Sequence, residues 1–559
     1  MWWRGQGGET LNQFRTRKAG VSRREALRLA ALASSGAWAG CGRGQEGTAS
    51  TDGKPALKVP DSEFDEITVD RLREGMESGE YTARSIAEKY LGRIEQIDKK
   101  GPAVNAIIEI NPDALSIAAE LDRERQANGS RGPLHGIPVI LKDNLDTGDR
   151  MQTTAGSLAL EGSIALRDSF VAERLRAAGA VILAKANLSE WANFRGRNSV
   201  SGWSGRGGLT RNPYALDRNA CGSSSGSAVA VSANLCPLAI GTETNGSVIC
   251  PSSINGVVGI KPTVGLISRS GIIPISHNQD TAGPMARTVR DAALLLGALT
   301  GVDPRDMATA ASEGRLHADY TQFLDSDGLR GARIGVWRGA MGFSGHVDQL
   351  IGEALLAMKE RGAELADPVE LPLRSAYGDA PFEVLLHEFK AGLNGYLAGL
   401  KQNVTVRGLS DVIAFNEQHA DEELRHFGQE ILLAANERGG LDSRPYLDAL
   451  AKARRLSRTE GIGRAMSEHR LDAIVSPSTG PSWVTDLVHG DRSSHGSAGP
   501  AAIAGYPHIT VPAGLVRGLP VGISFFGARF SEALLLKLAY GFEQATKSRQ
   551  PPRFLASVE

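Results

Sequence analysis

Short apolar runs alternate with amphipathic stretches along most of the chain. Ile86, Tyr90, Ile94 and Ile97 recur at steps of four, four and three residues, which predicts a helix over 82–97. Similar periodicity predicts helices at 68–76, 286–299, 346–361 and 531–546. Compact apolar runs predict buried strands at 137–141, 180–183, 238–240, 256–260, 334–337, 473–476, 509–512 and 521–526.

This alternation predicts an α/β fold with a single large domain over residues 63–550. We expect a mixed, mainly parallel β-sheet that helices cover on both faces. Residues 381–470 differ, because they are charged and helical and lack strand signals. We interpret them as a helical excursion, that is, a helical insertion on the sheet. It either lies beside the substrate or only packs on the fold, and the sequence favours neither. No internal repeat recurs at a fixed period.

The first 41 residues have the features of an export signal. Ser22-Arg23-Arg24-Glu25-Ala26-Leu27 fits a twin-arginine pattern, and the apolar run 29–39 is shorter than the roughly 20 residues of a membrane span. Trp38-Ala39-Gly40-Cys41 resembles a bacterial lipobox, in which the cysteine carries the lipid anchor. We therefore expect an exported bacterial protein at the periplasm or cell surface; an ordinary amphipathic helix is the alternative. Residues 42–62 are predicted to be a flexible tether.

The composition is that of a globular protein. Hydrophobic residues make up 41% and charged residues 22%, which excludes a disordered chain, a coiled coil and a membrane bundle. The formal net charge of −1 indicates no nucleic-acid partner and no strong selection of charged substrates. No zinc-binding spacing, dinucleotide fingerprint or paired-carboxylate motif occurs, so neither a metal nor a cofactor is implied.

The cysteines do not predict a disulfide framework. With Cys41 assigned to a lipid, Cys221, Cys236 and Cys250 remain, and three cysteines cannot all pair. Cys250 is expected to be a packed core thiol rather than a nucleophile, because the sequence places no imidazole beside it.

A Gly/Ser run at 222–227 precedes the apolar segment 228–231 and has three interpretations. The first is a flexible linker. The second is a nucleophile elbow, since Gly222-Ser223-Ser224-Ser225-Gly226 fits GxSxG centred on Ser224, but an elbow requires a strand just before it. The third depends on the motifs on either side.

Several long motifs occur in a fixed order around this run. They are Gly-Ile-Pro-Val-Ile-Leu-Lys-Asp-Asn at 136–144, Lys-Ala-Asn-Leu-Ser-Glu at 185–190, Gly-Thr-Glu-Thr-Asn-Gly-Ser at 241–247, Gly-Val-Val-Gly-Ile-Lys-Pro-Thr at 256–263, Asp-Thr-Ala-Gly-Pro-Met-Ala-Arg at 280–287 and the segment 505–527. With these motifs the chain resembles the amidase signature family over residues 66–545. The resemblance implies a large mixed sheet with helices on both faces, and hydrolysis of a carboxamide C–N bond through a serine acyl-enzyme.

The resemblance also implies a catalytic triad. Lys142 matches the family's base, Ser223 its bridging serine in a cis peptide, and Ser247 its nucleophile, 24 positions after Ser223. The predicted oxyanion hole consists of the backbone N–H groups of Thr244, Asn245, Gly246 and Ser247. A serine hydroxyl needs a base to become a good nucleophile, and a lysine can act as one where burial keeps it neutral. Ser223 would relay the proton and return it to the leaving amine.

Some positions depart from the usual family pattern. Glu243 and Asn245 replace the more frequent Asp and Gly, and Cys221 and Ser225 replace Gly. Asn tolerates positive φ, so the turn at Asn245 can persist. The Glu243/Asn245 form, together with Cys250-Pro251 and the Ile-Pro-Ile-Ser and Gln-Asp-Thr stretches after it, is similar to peptide amidases, which remove ammonia from C-terminal peptide amides.

The expected substrate is therefore a small-molecule or peptide amide, and the oligomeric state stays open. One alternative is an amidase of small aryl, alkyl or fatty amides. Another is the related transamidase subunit that amidates charged transfer RNA, against which the export leader argues. A third, from a different class, is a non-catalytic extracytoplasmic binding lipoprotein; intact Lys142, Ser223 and Ser247 argue against it. Lys185 and His277 are interpreted as a structural and a surface residue.

Overall fold

A computed structural model describes residue 57 and residues 59–492 and 496–558. The export pattern, the lipobox at Cys41 and most of the tether predicted at 42–62 lie outside the described residues. Within the described ranges, no helix is both long and apolar enough to cross a membrane.

The described residues contain the strands of one large sheet and one small hairpin. The strands are β1 (Ile107–Ile110), β2 (Pro138–Lys142), β3 (Val181–Ala186), β4 (Trp203–Ser204), β5 (Gly208–Leu209), β6 (Leu238–Glu243), β7 (Val258–Lys261), β8 (Thr281–Ala286), β9 (Arg333–Trp337), β10 (Glu364–Val369), β11 (Ala473–Pro477), β12 (His508–Val516) and β13 (Leu519–Phe526).

Helices occur between the strands and in one long insertion. They are α1 (Val69–Ser78), α2 (Ala83–Arg93), α3 (Ala114–Asn128), α4 (Phe170–Ala177), α5 (Ser225–Ser232), α6 (Ile249–Ile254), α7 (Val289–Leu299), α8 (Gly345–Glu360), α9 (Arg374–Tyr377), α10 (Ala380–Ala398), α11 (Leu409–Gln418), α12 (Ala420–Glu423), α13 (Glu430–Asn436), α14 (Arg444–Arg454), α15 (Gly463–His469), α16 (Ala498–Ala504) and α17 (Glu532–Thr546). In the described chain, residues 380–469 contain helices and connecting segments without a strand.

The large sheet is mixed. Its strand order is β1-β3-β2-β6-β8-β7-β12-β13-β11-β9-β10. Parallel pairs form two blocks, β3-β2-β6 and β11-β9-β10, and the strands between these blocks pair antiparallel. Parallel pairing, which we expected to prevail, is thus found in these two blocks, and the edge strand β1 pairs antiparallel with β3. Within the antiparallel centre, β12 and β13 are joined by a tight turn at Arg517-Gly518, which a parallel pair does not permit.

Two groups of helices pack on the sheet. Helices α5 and α6 contact each other and strands β6, β7, β12 and β13, whereas α17 contacts α7, α8 and β12. The central strands are buried along their whole length: every residue of β2, β3, β6 and β8 is buried. Burial on both faces explains their continuous apolar runs.

The strand ends bring the signature motifs together. β2 and β6 are parallel neighbours, with Leu141 paired to Ile240, so Lys142 and Thr242 lie at the same edge of the sheet. The turn after β6 carries Ser247 into α6, and the segment before α5 carries Ser223. Parallel strands thus place residues that are far apart in sequence at one edge.

Candidate active site

Lys142, the last residue of β2, is completely buried. Its Nζ lies 2.7 Å from Ser223 Oγ, 2.9 Å from Thr242 Oγ1 and 3.2 Å from the Thr242 carbonyl oxygen. Burial lowers the pKa of this lysine from 10.5 to about 7, and the carboxylates of Asp280 and Glu243 oppose the shift only in part. A large fraction of the amine is therefore neutral at neutral pH.

Ser223 lies on the segment that enters α5 and is also completely buried. The Gly222–Ser223 peptide bond is cis, as the resemblance implied. A Cβ at Gly222 would lie 2.1 Å from Ser189 Oγ, so only glycine fits beside this serine. The carbonyl of Ser223 accepts a hydrogen bond from the Ser189 N–H at 3.1 Å, which fixes the segment against the 185–190 motif.

The nucleophile-elbow interpretation of Ser224 is not supported. Among the described residues, no strand directly precedes this position, since 219–224 lacks regular structure. The Ser224 hydroxyl donates to the Thr242 carbonyl at 3.0 Å and accepts from the Thr242 N–H at 3.1 Å. Ser224 therefore joins the segment before α5 to the end of β6.

Ser247 lies on the turn between β6 and α6 and is 8% exposed. Its carbonyl accepts a hydrogen bond from the Ser224 N–H at 3.1 Å, so the two serine-bearing segments are in contact. In the part of the chain that the structure describes, the Ser247 hydroxyl forms no hydrogen bond with Ser223 or Lys142. The predicted triad therefore divides into a bonded pair, Lys142 and Ser223, and a third member whose backbone is held beside them.

The turn over 244–247 has the form of an anion-binding site. Gly246 has a φ of +86°, and the Glu243 carboxylate accepts from the N–H groups of Val248 and Ile249 at 2.8 and 3.0 Å. By contrast, the N–H groups of Thr244, Asn245, Gly246 and Ser247 have no acceptor within the described ranges. Free N–H groups on a glycine turn are the kind of donor that an oxyanion hole requires.

Asp280 supports this turn from β8's side. Its carboxylate accepts from Thr244 Oγ1 at 2.6 Å and from the N–H groups of Ile275 and Ser276, each at 2.8 Å. Burial raises the pKa of Asp280 to about 6, and these hydrogen bonds oppose that rise. The first residue of the predicted oxyanion turn is thereby fixed to the neighbouring strand.

The structure corrects the expectation for the cysteines. Cys221 and Cys250 form a disulfide with a Cα–Cα distance of 6.2 Å, whereas Cys236 is a free, buried thiol. Sequence counting missed this pair because the two cysteines are 29 positions apart and meet only when α6 packs beside the segment before α5.

A small apolar cavity of about 10 Å³ includes Asn144, two residues after Lys142, in its wall. It is lined by Asn144, Ala155, Trp191, Ala192, Ile273, Pro274, Ile275 and Phe389. Asn144 Nδ2 donates to Thr242 Oγ1 at 3.0 Å, which connects the cavity wall to the Lys142 contacts. Phe389 belongs to α10, so the helical region contributes one wall. Its position beside the substrate stays a prediction.

A buried charge cluster ties the helical region to another wall of the cavity. Trp191, Ala192 and Asn193 all have φ between +48° and +69°, an uncommon conformation for residues other than glycine. Just after this turn, Arg195 Nη1 donates to Glu190 Oε1 at 2.7 Å and to Glu423 Oε2 of α12 at 3.1 Å. The helical region therefore holds the left-handed turn in place.

Sequence reasoning missed Thr242, Asn144 and Asp280 as members of the site. Asn144 lies two residues after Lys142, and Thr242 lies two residues before Thr244. Their positions at the ends of predicted strands could have indicated that they belong to the site. Within residues 57, 59–492 and 496–558, no cluster of three His, Cys, Asp or Glu side chains is suited to a metal ion.

Comparison with known proteins gives consistent matches over most of the chain. The model of the family described as Amidase matches residues 85–536. A probable amidase of Arabidopsis thaliana is 45% identical over 500 residues, 88% of this chain and 92% of the relative. A putative amidase of Schizosaccharomyces pombe is 38% identical over 540 residues, 91% of this chain and 90% of the relative.

Solved structures agree with these matches. A native peptide amidase from Stenotrophomonas maltophilia is 51% identical with a TM-score of 0.84, covering 88% of this chain and 99% of that one. A peptide amidase in complex with the competitive inhibitor chymostatin is also 51% identical, with a TM-score of 0.85 and the same coverage of both chains. The predicted fold class is confirmed.

The comparisons correct the expected location. From residues 1–41 we predicted an exported bacterial protein, and this prediction is wrong: the relatives at 45% and 38% identity are a plant and a fungal amidase. A short pattern of arginines and small residues is weaker evidence of the protein's origin and location than matches that span most of the chain. The matches support neither membrane anchoring nor an oligomeric state, and they do not support a binding lipoprotein.

Proposed function

The chain belongs to the amidase family and is a hydrolase that acts on amides, and we propose that it removes ammonia from the C-terminal carboxamide of peptides through an acyl-enzyme on Ser247. One observation carries the proposed mechanism: the buried Lys142 amine, with a pKa of about 7, lies 2.7 Å from Ser223 Oγ. A neutral amine at this position is a base, and Ser223 is the hydroxyl that it reaches.

The hydrogen bonds of Lys142 orient its lone pair. A neutral amine has two N–H groups and one lone pair. Thr242 offers two acceptors, its Oγ1 and its carbonyl oxygen, which together take both N–H groups. The lone pair then faces Ser223 Oγ and accepts its proton. Thr242 thus supports the assignment of Lys142 as the base.

The proposed reaction proceeds in two half-reactions. Ser247 Oγ attacks the carboxamide carbon while its proton passes to Ser223 and the Ser223 proton passes to Lys142. The N–H groups of Thr244, Asn245, Gly246 and Ser247 stabilise the oxyanion, and the proton returns through Ser223 to the leaving nitrogen, which departs as ammonia. Water then attacks the ester by the same relay, and the peptide acid leaves.

The substrate class is supported by the cavity and by the relatives. Two solved structures at 51% identity are peptide amidases, one of them in complex with a competitive inhibitor. Trp191, Ile275 and Phe389 give the small cavity next to Asn144 an apolar wall. Two buried polar atoms on this wall, Asn144 Oδ1 and Trp191 Nε1, have no partner among the described residues. An acceptor and a donor among the residues that line the cavity complement the N–H and C=O groups of a peptide.

Ammonia release from a substrate panel tests the proposal. Peptide amides that end in an apolar residue should be hydrolysed faster than simple alkyl amides, aryl amides or fatty amides. Ser247→Ala should reduce kcat by about 10⁵-fold or more, because an unassisted site keeps only its binding contributions.

The outcomes separate mechanism from specificity. Ser224→Ala is the matched control, because Ser224 is a neighbouring buried serine whose hydroxyl is already bonded to Thr242; it should retain far more activity than Ser247→Ala. Full turnover by Ser247→Ala would contradict the nucleophile. Preference for fatty or aryl amides would contradict the peptide substrate and leave the nucleophile intact.

A further inference from the structure

The position of Ser247 relative to Ser223 depends on their backbones. Lys142 and Ser223 are joined by a direct side-chain contact of 2.7 Å. The Ser247 hydroxyl has no such contact with either residue in the described part of the chain. The relay nevertheless requires Ser247 Oγ to transfer a proton to Ser223 Oγ, so the separation of the two segments has to be held by other means.

The Cys221–Cys250 disulfide joins these two segments covalently. Cys221 lies two residues before Ser223, and Cys250 lies three residues after Ser247 in the first turn of α6. The closed ring therefore contains both serines. Between the same segments, the Ser224 N–H donates one backbone hydrogen bond to the Ser247 carbonyl at 3.1 Å.

Each cysteine is also fixed to the segment that carries its serine. The Cys221 N–H donates to Asn219 Oδ1 at 2.7 Å, and the Cys221 carbonyl accepts from Ser225 Oγ. The Cys250 N–H donates to the Gly246 carbonyl at 2.8 Å, within the predicted oxyanion turn. The disulfide therefore constrains the backbone positions of both serine-bearing segments, because each cysteine is hydrogen-bonded within its own segment.

We propose that Cys221 and Cys250 are positioning residues for the reaction: their disulfide sets the distance between the nucleophile Ser247 and the bridging Ser223. The proposal rests on the proposed roles of these serines. It makes amide hydrolysis dependent on an intact disulfide, although neither sulfur contacts the substrate. Lys142 and Ser223 keep their contact without the disulfide, because Lys142 belongs to β2 and is held by Thr242.

The double variant Cys221→Ser/Cys250→Ser tests this proposal, with Cys236→Ser as the matched control. Cys236 is buried and free, and its Sγ lies 3.1 Å from the Leu238 carbonyl oxygen. We expect the double variant to lose roughly 10- to 100-fold in kcat, since misplacing a reacting group by about 1 Å has costs of this order. Labelling of Ser247 by a fluorophosphonate should slow by a similar factor, while the control stays within about twofold of the wild type.

The pH profile distinguishes positioning from general loosening of the site. If only Ser247 shifts, the activity of the double variant still titrates near pH 7, because the environment of Lys142 is unchanged. If the whole site opens to water, the midpoint rises towards the ordinary lysine value. A folded double variant with unchanged kcat and labelling rate, or with a raised midpoint, would overturn the proposal.

Two measurements keep the test decisive. If the double variant does not fold, the wild-type protein is reduced with tris(2-carboxyethyl)phosphine instead. Alkylation and mass spectrometry then measure the fraction of protein whose disulfide is cleaved. We expect the same loss of kcat on reduction and its recovery on reoxidation. Failure of the proposed function looks different: wild-type protein would then show no fluorophosphonate adduct on Ser247, whatever the state of the cysteines.

Discussion

Two buried lysines on adjacent strands show what distinguishes a base from a structural cation. Lys142 ends β2, and Lys185 lies on β3, where it pairs with Leu141. Both side chains are completely buried, and burial lowers the pKa of both. Burial alone therefore does not decide their chemistry.

Their hydrogen-bond partners decide it. Lys185 Nζ donates to the carbonyl oxygens of Leu145 and Gln152 at 2.7 and 3.0 Å and to Thr153 Oγ1 at 3.0 Å. The Thr153 hydroxyl donates its own proton to the Leu145 carbonyl, and the carboxylates of Asp143 and Asp146 favour the charged amine. Lys185 thus has three acceptors and no available proton, as expected of an ammonium ion.

Lys142, by contrast, faces a hydroxyl whose proton has no other acceptor among the described residues. Two of its contacts are with Thr242 and the third is with Ser223. From this comparison we infer that a buried lysine is placed to act as a base where its surroundings satisfy two of its N–H groups and a hydroxyl proton faces its lone pair. The following predictions test this contrast.

Of the changes that test this contrast, replacement of Lys142 should have the largest effect. Lys142→Met keeps the length of the side chain and removes the amine, and we expect kcat for amide hydrolysis to fall by about 10²- to 10⁴-fold, the usual contribution of a general base. The free energy of unfolding should be unchanged or higher, because an amine buried at a cost is replaced by an apolar chain. Ammonia release and urea unfolding of the same sample measure both. Loss of activity with loss of fold would contradict the assignment.

Replacement of Lys185 should instead affect stability. Lys185→Met removes the donor to three acceptors and a buried cation that favours the Asp143 and Asp146 carboxylates, so we expect the free energy of unfolding to fall by about 3–5 kcal/mol. Urea unfolding measures this loss, with Lys142→Met as the matched control. Equal destabilisation by the two substitutions would remove the distinction between these lysines.

The pH dependence should be the mildest test. Since the base acts when neutral and the pKa of Lys142 is about 7, kcat/KM for an uncharged peptide amide should fall about tenfold per pH unit below 7 and level off above it. Initial rates between pH 5 and 9 measure this profile, with buffer-matched stability controls. A profile that rises up to pH 10 would mean that Lys142 keeps an ordinary pKa.

The free energy of unfolding also depends on pH through the pKa of Lys142. The pKa of Lys142 is about 7 when folded and 10.5 in its ordinary state, so the unfolded chain binds the extra proton between these values. The contribution of Lys142 to the free energy of unfolding therefore rises with pH across this window. Lys142→Met should lack this component, which urea unfolding at pH 7 and pH 9 resolves.

Much of the central sheet could be predicted from sequence. The apolar runs at 137–141, 180–183 and 238–240 became β2, β3 and β6, because strands buried on both faces leave a continuous hydrophobic signal. Strand β8 was missed, since its Gly283-Pro284 step resembles a turn, and the helix predicted from 286 begins at Val289. The edge strands β1 and β10 were missed because their residues are largely exposed or only half-buried.

The candidate site, too, could be predicted only in part from the sequence. Lys142, Ser223 and Ser247 were named from motif resemblance, and the structure brings the first two into contact. The contacts of Thr242 and Asp280 and the Cys221–Cys250 bond depend on strand register and helix packing. No local pattern encodes these, since each joins segments that are distant in sequence.

The cavity wall from α10 has a consequence for how new specificities arise. Lys142 and the oxyanion turn follow rigid strands, whereas Phe389 sits on a helix inserted between β10 and β11. If the proposed substrate reaches this wall, changes along that helix alter the shape offered to it without displacing the strands below. Mutations in this helix, whether natural or from laboratory evolution, are thus expected to change substrate selectivity while turnover is preserved.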